Sequence, residues 1–161
     1  MKTFIVIPAY NEEKMIGSVL QNLKHHNHEN IVVVDDGSKD NTSKVVKCHD
    51  VHLIRHIINR GQGASLQTGT EYALNQGADI IVHFDADGQL RPEEINKVTQ
   101  PIKEKEVEAT LGSRFLGQTV NLSKTKKLTL KGGILFTYFF SGIKLTDTHN
   151  GFRALSRNAA S

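Results

Sequence analysis

Short apolar runs alternating with segments of helical period constrain this chain more than any other feature. Phe4-Ile5-Val6-Ile7, Ile31-Val32-Val33-Val34, Val51-His52-Leu53-Ile54 and Ile80-Ile81-Val82-His83-Phe84 each read as a strand. Their near-continuous β-branched character is that of strands buried on both faces. Between them apolar residues recur at helical spacing: Met15, Ile16, Val19, Leu20 and Leu23, then Val45 and Val46, then Leu66, Tyr72, Ala73 and Leu74 closed by Gly77. Arg91-Pro92-Glu93-Glu94 opens a further helix. A fifth strand over Ala109 to Phe115 and a last one, Phe152-Arg153-Ala154-Leu155, complete the pattern. The alternation predicts an α/β fold, a mostly parallel sheet flanked by helices, and 161 residues predict a single domain over 1–161.

In such sheets ligands bind beyond the carboxyl ends of the strands, and those ends carry chemistry here. Asp85-Ala86-Asp87-Gly88-Gln89 follows the fourth strand. Carboxylates at i and i+2 share one side of a strand, and as hard oxygen ligands they suit Mg²⁺ or Mn²⁺ with positions left for phosphate. Asp and Gly also make turns, but the other strand ends favour the metal–phosphate reading. Asp35-Asp36 closes the second strand, where acids can hydrogen-bond a base or ribose; Asp40 to Thr42 reads as a helix cap. Asn11 is a fitting N-cap for the first helix, with Glu12 and Glu13 suited to its positive end. Asn59-Arg60-Gly61-Gln62-Gly63 opens the third helix, either as an anion site or for close packing on the sheet. Its spacing matches neither the dinucleotide fingerprint nor a P-loop. Arg114 ends the fifth strand.

A formal net charge of +3 without a basic ribbon gives no support to a nucleic-acid partner. A lone cysteine, Cys48, fits a reducing compartment as a small semi-buried side chain, and a start without a signal peptide predicts a cytoplasmic protein. His25, His26 and His28 read as residues favourable to a helix C-terminus. Lys124, Lys126, Lys127 and Lys131 precede Ile134-Leu135-Phe136-Thr137-Tyr138-Phe139-Phe140. That order suits a helix lying on an anionic lipid surface, at the cytoplasmic face of a membrane, or a core-packed helix with a solvated lysine end.

The ordered set of motifs resembles a family-2 glycosyltransferase of the GT-A fold, in the branch of dolichyl-phosphate mannose synthase and its polyprenyl-phosphate relatives. The pieces are Ile7-Pro8-Ala9-Tyr10-Asn11-Glu12, Val33-Val34-Asp35-Asp36-Gly37-Ser38, Asn59-Arg60-Gly61-Gln62-Gly63, Asp85-Ala86-Asp87-Gly88-Gln89, Gly112-Ser113-Arg114-Phe115, Asp147 and Gly151-Phe152-Arg153. The resemblance implies transfer of a sugar from GDP-mannose or a UDP-sugar to a polyprenyl or dolichyl phosphate, with Mg²⁺ or Mn²⁺. It implies that Pro8, Ala9, Tyr10, Glu12, Val34, Asp36, Gly61 and Gly63 hold the nucleotide sugar with Asp85, Ala86 and Asp87. Asp85, Asp87 and Gln89 would engage the metal, and Arg114 and Lys131 would meet phosphate. Asp87, Arg114 and Asp147 are the catalytic candidates. Against the family's usual length the chain reads as C-terminally short, stopping at Ser161 in the first turn of a helix, which predicts weak activity and a homodimer through an uncovered apolar face near Phe136, Phe139 and Phe140. The alternatives are a nucleotide-sugar-binding domain without transferase activity and a haloacid-dehalogenase-like phosphatase, which also places Asp-x-Asp-Gly after a strand.

Overall fold

The computed structural model describes residues 1–112 and 151–161. Two compact units divide the chain, Met1–Thr110 with Phe152–Ser161, and Leu111–Gly151. Apart from Leu111, everything described below belongs to the first. Arg114, Lys131, Asp147, the lysine cluster and the aromatic segment 134–140 lie outside the described residues.

The elements run β1 (Thr3–Ala9), α1 (Ile16–His25), β2 (Ile31–Asp35), α2 (Thr42–Lys47), β3 (His52–Arg55), α3 (Gln62–Asn75) and β4 (Ile80–His83). A 3₁₀ turn over Pro92–Glu94 then leads into α4 (Ile95–Lys103), β5 (Ala109–Leu111), β6 (Arg153–Ser156) and one helical turn, α5 (Arg157–Ala160). The sheet order is β3-β2-β1-β4-β6-β5. β1 pairs parallel with β2 and β4, and β2 with β3, while β6 runs antiparallel to β4.

The two-residue period of the strands divides the core into two layers. Phe4, Val6, Val32, Val34 and Ile81 face α3, packing with Leu66 and Ala73. Ile5, Ile7, Ile31, Val33, Ile80 and Val82 face the other way, against Ile16, Leu20 and Leu23 of α1, Val46 of α2 and Ile95 of α4. Each fully buried Val, Ile or Phe contributes about 1.5–3 kcal/mol, so packing on both faces holds strands as short as these. α3 lies close on the sheet because Gly69 carries no side chain: a methyl there would collide with Val6 Cγ1. The helix ends as its sequence predicts. Gly77 takes φ +80°, its N–H donates to the Leu74 carbonyl, and the N–H of Ala78 donates to that of Ala73, a Schellman closure.

Two local expectations differ. Asn11 does not cap α1, whose N-cap is Met15. Cys48 is exposed rather than semi-buried.

Candidate active site

The chain runs outward from β1 to β2 and β3, then crosses back to lay β4 on the other side of β1. At such a reversal the connections leave the sheet in opposite directions and open a crevice beyond the strand ends. A cleft of ≈ 390 Å³ lies there. Pro8, Ala9 and Tyr10 enter it from the end of β1, Asp36 from β2, Gly61 from the loop before α3, and Asp85, Ala86 and Asp87 from β4, with Glu12 beside them. Most residues expected at the nucleotide sugar therefore come together. Val34 does not: it is a fully buried core residue beneath α3. Gly63 lines a second cavity, on the side of α3 that carries Leu66 and Thr70. Gln89, expected at the metal, is exposed and is not among the described residues lining the cleft; its amide donates to Asp87 Oδ1 at 3.0 Å. Asn59 and Gln62, named above only as part of the loop that opens α3, line the cleft too, and so does Ser65, which the sequence did not single out.

The adjacent acids at the end of β2 divide their work. Asp35 is wholly buried and structural: Oδ1 accepts from the Ser38 amide at 2.8 Å, Oδ2 accepts from the Ser43 hydroxyl, and the Arg55 guanidinium lies 3.5 Å from Oδ2. Asp36 lines the cleft. Its Oδ1 accepts from the Arg60 amide at 2.9 Å and lies 2.7 Å from His56 Nδ1, and Oδ2 accepts from the Gly61 amide at 2.7 Å. Burial works against its charge, but the Arg60 amide, the His56 ring and the Gly61 amide more than offset it and hold the carboxyl below its usual range. The loop can lie this close because Gly37, at φ +74°, has no side chain; a Cβ there would stand 2.8 Å from the Ile58 carbonyl carbon.

Residues 11–13 are locked to residues 38–42. The amides of Asn11, Glu12 and Glu13 donate to Ser38 Oγ, Thr42 Oγ1 and Asp40 Oδ2, at 2.9, 2.8 and 3.1 Å. In return Asn11 Oδ1 accepts from the Lys39 amide and Glu13 Oε2 from the Asn41 amide, both at 2.9 Å. Asn11 sits at φ +56°, where Asn is among the better-tolerated residues, and these contacts explain why it is not a helix cap.

β4 ends at His83, two residues before Asp85, so a strand's period does not align the two acids. They flank Ala86 in a turn instead, Asp85 half-buried and Asp87 exposed. Gln62 Nε2 donates to Asp85 Oδ1 at 3.2 Å. Burial, then the neighbouring Asp87 and Asp40 carboxylates, push the Glu12 carboxyl above its usual range. The described lining thus gathers Glu12, Asp36, Asp85 and Asp87 with no lysine or arginine among them. Carboxylates by themselves repel a diphosphate, and hard carboxylate oxygens are the donors Mg²⁺ and Mn²⁺ prefer. Among the described residues no group of three or more His, Cys, Asp or Glu side chains could hold a metal alone. The residues present fit an ion shared between protein and ligand phosphates.

Behind this wall, His83 accepts from Arg153 Nε at Nδ1 (2.9 Å) and stands 3.0 Å from Thr70 Oγ1 at Nε2. A ring that accepts at Nδ1 is neutral with its proton on Nε2. Burial, then the Arg153 cation, pull its pKa down to about 4 from 6.5. Between those values the unfolded chain takes up a proton that the folded one refuses. This contribution to stability is therefore complete above pH 6.5 and is lost progressively as the pH falls toward 4. Urea midpoints measured from pH 7 to 4.5 should fall less steeply for His83→Gln than for the wild type; parallel curves would contradict the assignment.

Comparisons with known proteins bear on this geometry. The family model for glycosyl transferase family 2 matches residues 4–161. An uncharacterised protein of Methanocaldococcus jannaschii is 44% identical over 159 residues, 98% of this chain and 65% of that protein. The UDP-N-acetylglucosamine–dolichyl-phosphate N-acetylglucosaminyltransferase of Methanococcus voltae is 42% identical over 175 residues, 97% of this chain and 70% of that one. The undecaprenyl-phosphate mannosyltransferase of Micrococcus luteus is 29% identical, covering 96% and 66%. The chain spans about two thirds of the length of these relatives. Among solved structures, glucosyl-3-phosphoglycerate synthase of Mycobacterium tuberculosis, crystallised with Mn²⁺, UDP-glucose and phosphoglyceric acid, aligns with a TM-score of 0.75 at 19% identity, over 98% of this chain and 57% of that one. The shared fold is GT-A, and the family match removes the phosphatase alternative. With a cleft at the sheet reversal and a match over almost its whole length, this chain belongs to glycosyl transferase family 2.

Proposed function

We propose that the chain is the catalytic domain of an enzyme that moves a sugar from a nucleotide-diphosphate sugar, a UDP-sugar or GDP-mannose, to a polyprenyl or dolichyl phosphate. The observation that carries this reading is the acidic cleft itself: Asp85 and Asp87 at one side, Asp36 at the other, joined by the end of β1. The relatives named for dolichyl- and undecaprenyl-phosphate transfer supply the acceptor class.

Asp36, with the Pro8–Tyr10 segment, would receive the nucleoside. Three of its roughly four lone-pair sites are occupied, which leaves room for one more donor from a base. Asp85 and Asp87 would hold Mg²⁺ or Mn²⁺ together with the diphosphate. A bound ion of this kind supplies Lewis-acid neutralisation of a leaving diphosphate, worth several kcal/mol. The Glu13–Asp40–Thr42 lock keeps Tyr10 and Glu12 in place at the cleft. Arg114 and Lys131 are proposed as phosphate contacts and Asp147 as a further catalytic residue. A phosphate acceptor is already ionised near neutral pH, its second pKa being about 6, so the chemistry does not require a strong base. Among the described residues no helix is long and apolar enough to cross a membrane. A lipid acceptor would be met at the membrane surface, from the cytoplasmic side.

The test is transfer of labelled sugar from a panel of UDP- and GDP-sugars to a short polyprenyl phosphate, with Mn²⁺ or Mg²⁺. Label entering the organic phase with one donor supports the reading; label released only as free sugar contradicts it. Asp36→Ala separates the two ends of the cleft. It should weaken nucleoside diphosphate binding roughly tenfold, for about 1 kcal/mol or more of lost hydrogen bonding, and spare inorganic diphosphate with Mn²⁺. Equal weakening of both in calorimetry would move Asp36 out of the nucleoside role.

A further inference from the structure

Among the described residues Ile57 is the most exposed large apolar side chain, at 99%, and Ile58 beside it is 68% exposed. The two form the tip of the loop between β3 and α3. That loop is held on both sides of the tip. Before it, the His56 amide donates to the Asp35 carbonyl at 2.9 Å, and the His56 ring hydrogen-bonds with Asp36 and Thr68. After it, the amides of Arg60 and Gly61 donate to Asp36. The Ile58 backbone lies against Gly37, where a Cβ would stand 2.8 Å from the Ile58 carbonyl carbon. A loop pinned in this way keeps both isoleucines in water, an unfavourable state that contact with an apolar medium relieves.

The surroundings select the medium. Arg55 precedes the tip, Arg60 follows it, and Lys39 stands two residues beyond Gly37; all three are exposed. Arg55 Nη2 donates to the Ser38 carbonyl, which places that guanidinium beside Lys39. No acidic residue occurs from Val51 through Thr70, and Asp35 and Asp36 beneath the loop are buried. Cations around an apolar point repel a second copy of the same tip. Two side chains also fall far short of the ~800 Å² per partner that a stable protein interface buries. A bilayer needs no such area: isoleucine enters the acyl boundary while arginine and lysine stay among anionic headgroups. Asn59 and Gly61 line the cleft, so the tip stands at its rim. We infer that Ile57 and Ile58 form a wedge that inserts into an anionic lipid surface and brings the cleft to its lipid acceptor. The inference rests on the acceptor class proposed above and adds to it the part of the chain that meets the bilayer.

The chain has no tryptophan, so Ile57→Trp places a single reporter at the tip. With vesicles of phosphatidylserine and phosphatidylcholine its emission should shift to the blue, and brominated acyl chains should quench it. Vesicles of phosphatidylcholine alone should give a smaller response, because the cations then lose their anionic partners. In flotation, Ile57→Ser/Ile58→Ser should lower binding to the anionic vesicles about tenfold or more. That variant should melt at the wild-type temperature and transfer sugar to a short polyprenyl phosphate in solution as the wild type does. An unshifted, unquenched emission, or an equal response to both vesicles, would overturn the inference, whatever other part of the chain holds the protein to lipid. Unchanged flotation of the double serine variant would overturn it too, as would a wild-type dimer that this variant dissociates, by making the tip a protein contact. If the tip inserts but no polyprenyl phosphate accepts sugar, the acceptor class falls and the membrane contact stands.

Discussion

Asp87→Asn is expected to lower sugar transfer by about a hundredfold or more while the protein melts close to the wild-type temperature. The side chain is exposed, and its described hydrogen bond, from the Gln89 amide, can be accepted equally well by an asparagine oxygen. Shape and fold are kept; what is lost is a negative charge in a cleft whose proposed ligand brings a cation. A second readout comes from Glu12. After burial, the Asp87 carboxylate contributes most to the elevated Glu12 pKa, so the substitution should move that carboxyl back toward its usual range, visible by NMR titration. Transfer rates within a factor of two of wild type would show that Asp87 does not engage the metal and diphosphate.

Asp35→Ala should have the opposite signature. It removes the acceptor for the Ser38 amide and the Ser43 hydroxyl, both buried, and takes the ion-pair partner from the largely exposed Arg55, which keeps its bond to the Ser38 carbonyl. Two buried donors left unpaired cost about 2–6 kcal/mol, and at about 2–4 °C per kcal/mol for a chain of this size the melting temperature should fall by roughly 10 °C. The remaining folded protein should bind nucleotide with an affinity much closer to wild type than that of Asp36→Ala. A variant that melts normally would show that the Asp35 network contributes little.

These two acids illustrate what was legible before the fold was known. Asp35-Asp36 stood out because a β-branched run closed on two carboxylates. Nothing local says which of them turns inward, since that depends on Ser43, eight residues away in α2, and on His56 beyond β3. The strand–helix alternation was readable because both faces of the sheet are covered, and the runs were therefore continuously apolar. The Asp85–Asp87 pair was found for a reason that needed correcting: the strand stops at His83, and a turn, not a pleat, brings both acids to the cleft. Asn11 carried the signal of a helix cap, but tertiary bonds to Lys39 and Ser38 claim it. Ser65 gave no signal, being one polar residue in a helix whose burial is decided by how closely Gly69 lets α3 approach the sheet. Val34 followed from family resemblance, and the core claims its side chain.

The most direct measurement is calorimetric titration of the chain with UDP-N-acetylglucosamine and GDP-mannose, in Mn²⁺ and again after chelation. One donor is expected to bind in Mn²⁺ and to be lost with the chelator. Mn²⁺ alone is expected to bind weakly, because among the described residues no group of three or more ligating side chains comes together. At one hundred times its Kd the bound donor should stabilise the fold by about 2.7 kcal/mol. Equal affinity with and without the metal, or no binding of either donor in Mn²⁺, would contradict that expectation.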